Sequence, residues 1–178
     1  TDVFTIIAPV IVIGLGIFSG ISATAQEEET KTLEIVLSVP IKRKRFLIDK
    51  MFSLMFKVMI ICLIFWMSFV VSAFIFDLDL SIFNLAAICV NLALLGISFG
   101  LLTVMIGTIT SNTNLGLFSS FAVGIISYLI FTLAPLFSKI SFTKYFSLFY
   151  YYKGSDPLVN GFHAWHWIIF ISLIVFLF

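Results

Sequence analysis

Apolar residues run along this chain in long blocks, and polar residues gather in short intervals between them. Five blocks approach or exceed the roughly 20 apolar residues that a helix needs to cross a bilayer. They cover residues 3–25, 46–76, 82–110, 115–137 and 163–178. In hydrocarbon, backbone N–H and C=O groups have to be satisfied within a helix or a closed barrel. The polar–apolar alternation of barrel strands is absent, so the blocks predict helices. The connections 77–81 and 111–114 are short, and Ser111, Asn112 and Asn114 are turn formers, which makes the flanking helices antiparallel neighbours. The expected fold class is an all-α membrane protein, a polytopic helical bundle with five spans. No Pro- or Gly-rich linker divides it and no internal repeat is evident, so residues 1–178 read as a single transmembrane domain.

Composition strengthens this reading. The chain is 61% hydrophobic and 11% charged, with a mean hydropathy of +1.20. Soluble domains average about 45–50% apolar and 25% charged residues, so a soluble core cannot absorb the excess. The net charge of +1 offers no basic field for a nucleic-acid partner. No basic region precedes the first block and no cleavage-like end follows it, so it is not a secretory signal. The start at Thr1 and the end inside an apolar run read as truncation of a longer domain at both ends. Cys62 and Cys89 both fall inside apolar blocks, where cysteine packs as a small reduced residue.

Charge is concentrated in one place. Of the 19 acidic and basic residues, 11 lie in residues 26–50. Lysine and arginine set membrane orientation. The 26–50 interval and Lys57 carry seven of them, 77–81 has none, and 138–162 has Lys139, Lys144 and Lys153. Helix parity puts the last two intervals on the same side. The seven-against-three balance therefore predicts that 26–50 and 111–114 are cytosolic and that 77–81 and 138–162 are external.

Within the island, Leu33, Val36 and Leu37 recur at i, i+3 and i+4, the stripe of a short amphipathic helix. Glu27, Glu28 and Glu29 precede it, where acidic groups suit a helix start. Val39 precedes Pro40, which pushes it toward extended backbone and ends the short helix near Ser38. Lys42, Arg43, Lys44 and Arg45 then open the next span at headgroup level, with Lys50 one to two turns on. Lys57 lies about two turns deeper still and is expected to snorkel back to the interface. From charge alone, the interval is a solvated loop with a basic stop signal.

The order of residues adds more. Glu29-x-x-Thr32-Leu33-Glu34, then Leu37, Pro40, Arg43 and Lys50, resembles the cytosolic loop of ABC-transporter permeases of the second, exporter-like type. The family pattern is Glu-basic-Gly-Thr-Leu-Glu-x-Leu-Leu-x-Thr-Pro-x-x-Arg, following the second of six spans. Two positions depart from it: Lys31 stands in place of Gly, and Val39 in place of Thr. The resemblance implies that this chain holds the second to sixth spans of a permease subunit. It implies that 26–45 is a coupling loop received by a separate cytosolic ABC-type ATPase subunit. Glu29, Thr32, Leu33, Glu34 and Leu37 would be contacts, and Pro40 and Arg43 would set the joint to the next helix. It further implies a second permease copy, in a homo- or heterodimer, and transport outward across the cell membrane. Lys42, Lys44, Arg45 and Lys50 are the residues expected at the lipid interface.

Other signals carry less. Gly16-x-x-x-Gly20 and Gly96-x-x-x-Gly100 allow close helix approach, with packing inside the bundle as the ordinary meaning. Asn91, Ser98, Thr103 and Thr108 are polar positions on the third block and candidates for lining a path. No ionisable residue is placed at the centre of a complete span, which disfavours a proton-driven secondary transporter or an intramembrane protease. In 138–162, Phe142, Tyr145, Phe146, Phe149 and Tyr150 recur at helical spacing, giving an aromatic face that is either interfacial or re-entrant. His163 and His166 lack a third ligand in sequence, so no metal site is assigned. No phosphate-binding Gly-x-x-x-x-Gly-Lys-Ser/Thr loop and no nucleophile–base set occurs, so no cofactor, catalytic residue or enzyme activity is assigned to this chain. The leading reading is an ABC permease subunit. The alternatives are a membrane scaffold that recruits a cytosolic partner through its basic loop, and a secondary transporter.

Overall fold

The structure is a computed structural model and describes residues 6–29, 43–76, 81–110, 113–134, 147–153 and 164–177. It is an all-α membrane bundle. The elements are α1 (Ala8–Glu29), α2 (Arg43–Ile75), α3 (Ile82–Thr110), α4 (Thr113–Leu133), α5 (Leu148–Lys153) and α6 (Ala164–Leu177). Among the described residues, three helices are long and apolar enough to cross a membrane: Leu47–Ile75, Ile82–Thr110 and Asn114–Leu133. Within α1, Ala8–Ser22 forms a shorter apolar helix.

Two helix C-termini each lie about four residues from the sequence expectation. The apolar block ends at Ala25, but α1 continues to Glu29, because Gln and Glu are good helix formers and nothing there breaks the backbone. Glu27, Glu28 and Glu29 therefore close α1 instead of opening a separate short helix. The fourth span was expected to reach residue 137, but α4 stops at Leu133. Pro135 lies two residues on and disfavours helical backbone before it.

The helix α3 is the centre. It packs against α1, α2, α4, α5 and α6. Its most apolar window is 78% buried, against 11% for α2 and 17% for α4. Leu85, Leu92, Leu95, Phe99 and Leu101 are among its fully buried side chains. The peripheral helices turn Phe56, Leu63, Phe74, Phe118, Ile125 and Ile168 outward. In water such faces would aggregate, whereas a bilayer solvates them.

The α1–α3 contact is backbone on backbone. A Cβ on Gly20 would lie 2.6 Å from the Gly100 carbonyl oxygen, and one on Gly100 would lie 3.0 Å from the Gly16 carbonyl oxygen. The two small-residue pairs noted in the sequence thus pack on each other within one subunit. Without a hydrophobic drive between helices in lipid, such close approach supplies the dispersion that holds them.

Candidate functional site

The end of the bundle where α1 stops and α2 starts is the basic end. Residues 30–42, which include Thr32, Leu33, Glu34, Leu37, Pro40 and Lys42, lie outside the described residues. What is described is their frame. Glu29 is the last residue of α1 and Arg43 the first of α2. Lys44 lies in the first turn of α2, Arg45 is exposed, and Lys50 is partly buried one to two turns on. Basic residues at a helix N-terminus oppose the macrodipole, at about 0.3–1 kcal/mol each when exposed. The macrodipole therefore does not favour Arg43, Lys44 and Arg45 at this end of α2.

Of the four polar positions of α3, Asn91, Ser98 and Thr103 are buried within the chain and Thr108 is partly exposed. Ser98 is fully buried and donates to the Leu94 carbonyl at 2.8 Å. The Thr103 hydroxyl divides its bonding between the Phe99 carbonyl and the Ser120 hydroxyl, each at 2.9 Å. Thr108 returns to Met105 and Val104 of its own helix at 2.8 and 3.0 Å. Hydroxyls bonded this way satisfy themselves locally and have little left for a solute. Asn91 is 3% exposed, and its Oδ1 has no partner among the described residues.

The helix α5 is held inside the bundle, against α3, α4 and α6. The Ser147 hydroxyl donates to the Ser127 carbonyl at 2.6 Å, tying the start of α5 to α4. The Phe149 ring meets Tyr128 edge-on, with centroids 5.3 Å apart, and Phe131 at 6.4 Å. Of the five aromatics read as one face, Phe142, Tyr145 and Phe146 lie outside the described residues, Phe149 is buried and Tyr150 is partly buried. Sequence reasoning missed Tyr152, the largest side chain in the fully buried core. Its spacing of three from Phe149 was the available signal.

Apolar grooves flank the bundle among the described residues. One of about 330 Å³ lies between α2 and α3, with Met59, Cys62, Leu63, Trp66, Cys89 and Ala93 in its wall. The other, about 180 Å³, lies between α1, α4 and α5, beside Ile13, Phe121, Tyr128 and Phe149. Cys62 and Cys89 are free and buried. Among the described residues, no three His, Cys, Asp or Glu side chains gather as metal ligands would. His163 lies outside the described residues.

Long apolar helices around a buried central one, with a basic cluster at one end, define a multi-pass membrane protein. The chain belongs to the ABC-2 family: the family described as ABC-2 family transporter protein matches residues 1–153. No curated protein and no solved structure matches it. It is an ABC-type transport permease, the transmembrane component of such a system.

Proposed function

We propose that this permease moves its substrate outward across the cell membrane, driven by a separate cytosolic ATPase subunit that docks on the 26–45 loop. The observation that carries the reading is the rigid path from that loop to the core. The helix α1 runs unbroken from Ala8 to Glu29, and its Gly16–Gly20 stretch seats directly on Gly96–Gly100 of α3. A displacement at Glu29 therefore reaches the central helix without crossing a flexible joint. The Leu33–Val36–Leu37 stripe provides an apolar face for a groove on the ATPase, and Glu29, Glu34 and Thr32 set its register. Pro40 and Arg43 form the joint to α2, and Lys42, Lys44, Arg45 and Lys50 anchor that joint to lipid.

Under this reading 26–50 and 111–114 face the cytosol, and 77–81 and 138–162 are external, as the lysine and arginine balance favours. Residues 1–178 act as one permease domain, and two copies or two related permeases enclose the path. The direction of transport follows the exporter-like character of the loop sequence.

The test places a single cysteine at Leu33 or Val36 of the full-length protein, after Cys62 and Cys89 are replaced. Crosslinking to the co-expressed ATPase subunit is measured with and without ATP. A crosslink that changes with nucleotide is expected. A folded sample that never crosslinks to a co-purifying ATPase would move the reading to a membrane scaffold.

A further inference from the structure

The helix α2 is seated on the bundle over only part of its length. Among its described residues the buried ones are Met51, Leu54, Val58 and Cys62, which follow at i, i+3, i+7 and i+11 along one face. From Leu63 to Phe76 no residue is buried, and Leu63, Ile64, Met67, Val71 and Phe74 are exposed. Glycines of α3 make the seat. A Cβ on Gly96 would meet Val58 Cγ1 at 3.2 Å, and one on Gly100 would meet both Leu54 Cδ atoms at 3.0 Å. Small residues let two helices approach, and large ones hold them apart. Beyond the seat the spacers are large: Phe65, Trp66 and Phe69 pack against the core but are only partly buried. The groove of about 330 Å³ beside Cys62, Trp66, Cys89 and Ala93 remains between α2 and α3 on that side.

Trp66 adds an independent sign that this contact has an alternative. Its Nε1 is buried and has no partner among the described residues. A buried donor without an acceptor is costly, so an arrangement that leaves one is disfavoured against any that supplies an acceptor. The neighbouring helix is held differently. The helix α1 meets α3 backbone to backbone at Gly16 and Gly20, so those two helices form one body. The 30–42 interval therefore joins that body at Glu29 and the partly seated α2 at Arg43.

We propose that α2 is a rocker arm. It pivots where Leu54 and Val58 sit on Gly100 and Gly96, and a displacement at Arg43 swings its Val71–Ile75 end toward α3, closing the groove at Cys62 and Trp66. The proposal rests on the transport reading, because the docked ATPase supplies the displacement. The helix α1 carries that displacement straight into the core, whereas α2 turns it into rotation about the seat. The low burial beyond Cys62 leaves little packing to oppose the swing.

The two arms are unequal. Residue 56 is the midpoint of the seat; Val71 lies 15 residues beyond it and Asp49 7 residues before it. These arms are roughly 22 and 10 Å long at 1.5 Å per residue. The test uses the full-length protein with its ATPase subunit in nanodiscs, with Cys62 and Cys89 replaced. One sample carries nitroxides at Val71→Cys and Phe83→Cys, another at Asp49→Cys and Ile109→Cys, all exposed positions. Spin–spin distances are read without nucleotide and with ATP and vanadate. The two distances are expected to change in opposite directions, in a ratio of roughly two to one set by the arms. Changes of the same sign mean that α2 slides as a whole and overturn the rocker. Constant distances, in a protein whose Leu33→Cys crosslink still responds to nucleotide, overturn the rocker and leave the transport reading standing. A crosslink that is also constant removes both. Should the labelled variants not fold, the native Cys62 and Cys89 decide, since they line the groove from facing helices. Copper–phenanthroline, which enters lipid, should join them at different rates in the two nucleotide states, and equal rates overturn the proposal.

Discussion

A methyl group on Gly20 would sit 2.6 Å from the carbonyl oxygen of Gly100, so α1 and α3 meet with no side chain between them at this point. Real carbon and oxygen atoms do not approach that closely, and the oxygen belongs to a helix backbone that cannot step aside. Gly20→Val is therefore expected to separate the two helices and to lower stability by about 1–3 kcal/mol, the usual cost of overpacking. Gly14 is the control, because nothing lies within 4 Å of a Cβ placed there. Thermal melts in detergent should show a fall in Tm for Gly20→Val and almost none for Gly14→Ala.

The Thr103–Ser120 hydroxyl pair, 2.9 Å apart and buried, joins α3 to α4. Interhelical bonds of this kind contribute about 0.6 kcal/mol on average in membranes and at most about 1.7. A double-mutant cycle with Thr103→Val and Ser120→Ala should return a coupling energy in that range. Strict additivity would mean that each hydroxyl is satisfied by its own helix alone.

Phe149 anchors α5 by its contacts with Tyr128 and Phe131. Phe149→Ala is expected to cost about 3–5 kcal/mol if the site does not collapse. The neighbouring Tyr150 is only partly buried, so Tyr150→Ala should cost clearly less. The readout is protease cleavage near Lys153 in the folded protein, which should accelerate in Phe149→Ala and stay slow in Tyr150→Ala.

Cys62 and Cys89 are free but buried between α2 and α3. Both lie within membrane-spanning helices, so a water-soluble reagent has no access to the thiols in the folded protein. A membrane-impermeant maleimide should label neither in the folded protein and both after unfolding in SDS. Rapid labelling of the native protein would show that the α2–α3 interface opens.

Glu34→Arg tests the proposed docking face. Reversing a charge that fixes register should weaken ATPase binding at least ~10-fold, about 1.4 kcal/mol, in a pull-down titration. The melting temperature is the control and should not move. Unchanged binding and transport would remove Glu34, and with it the assigned contact face.

The order of the helices was legible from hydropathy, and the span expected at 82–110 coincides with α3. The end of α4 was also available, in Pro135, but was overrun because Leu136 and Phe137 are apolar. The coupling loop could be read only from residue order, since its proposed role depends on a partner surface that the chain does not contain. Where α3's polar residues face was not legible, and the structure buries Asn91, Ser98 and Thr103 within the chain. Serine and threonine on a helix can bond to the carbonyl one turn back, and Ser98, Thr103 and Thr108 do so.

The sequence by itself determined that this is a helical membrane protein with most of its charge gathered in residues 26–50. An apolar run of about 20 residues has few ways to satisfy its backbone in lipid, so hydropathy dictates the element. Only the tertiary structure decided that α3 is central, that the two glycine pairs meet each other, and that α5 tucks against the bundle through Phe149 and Tyr152. These helices are apolar nearly all round, so no stripe marks which face turns inward. Depth and neighbours follow instead from where small residues let backbones touch, and that depends on two helices at once.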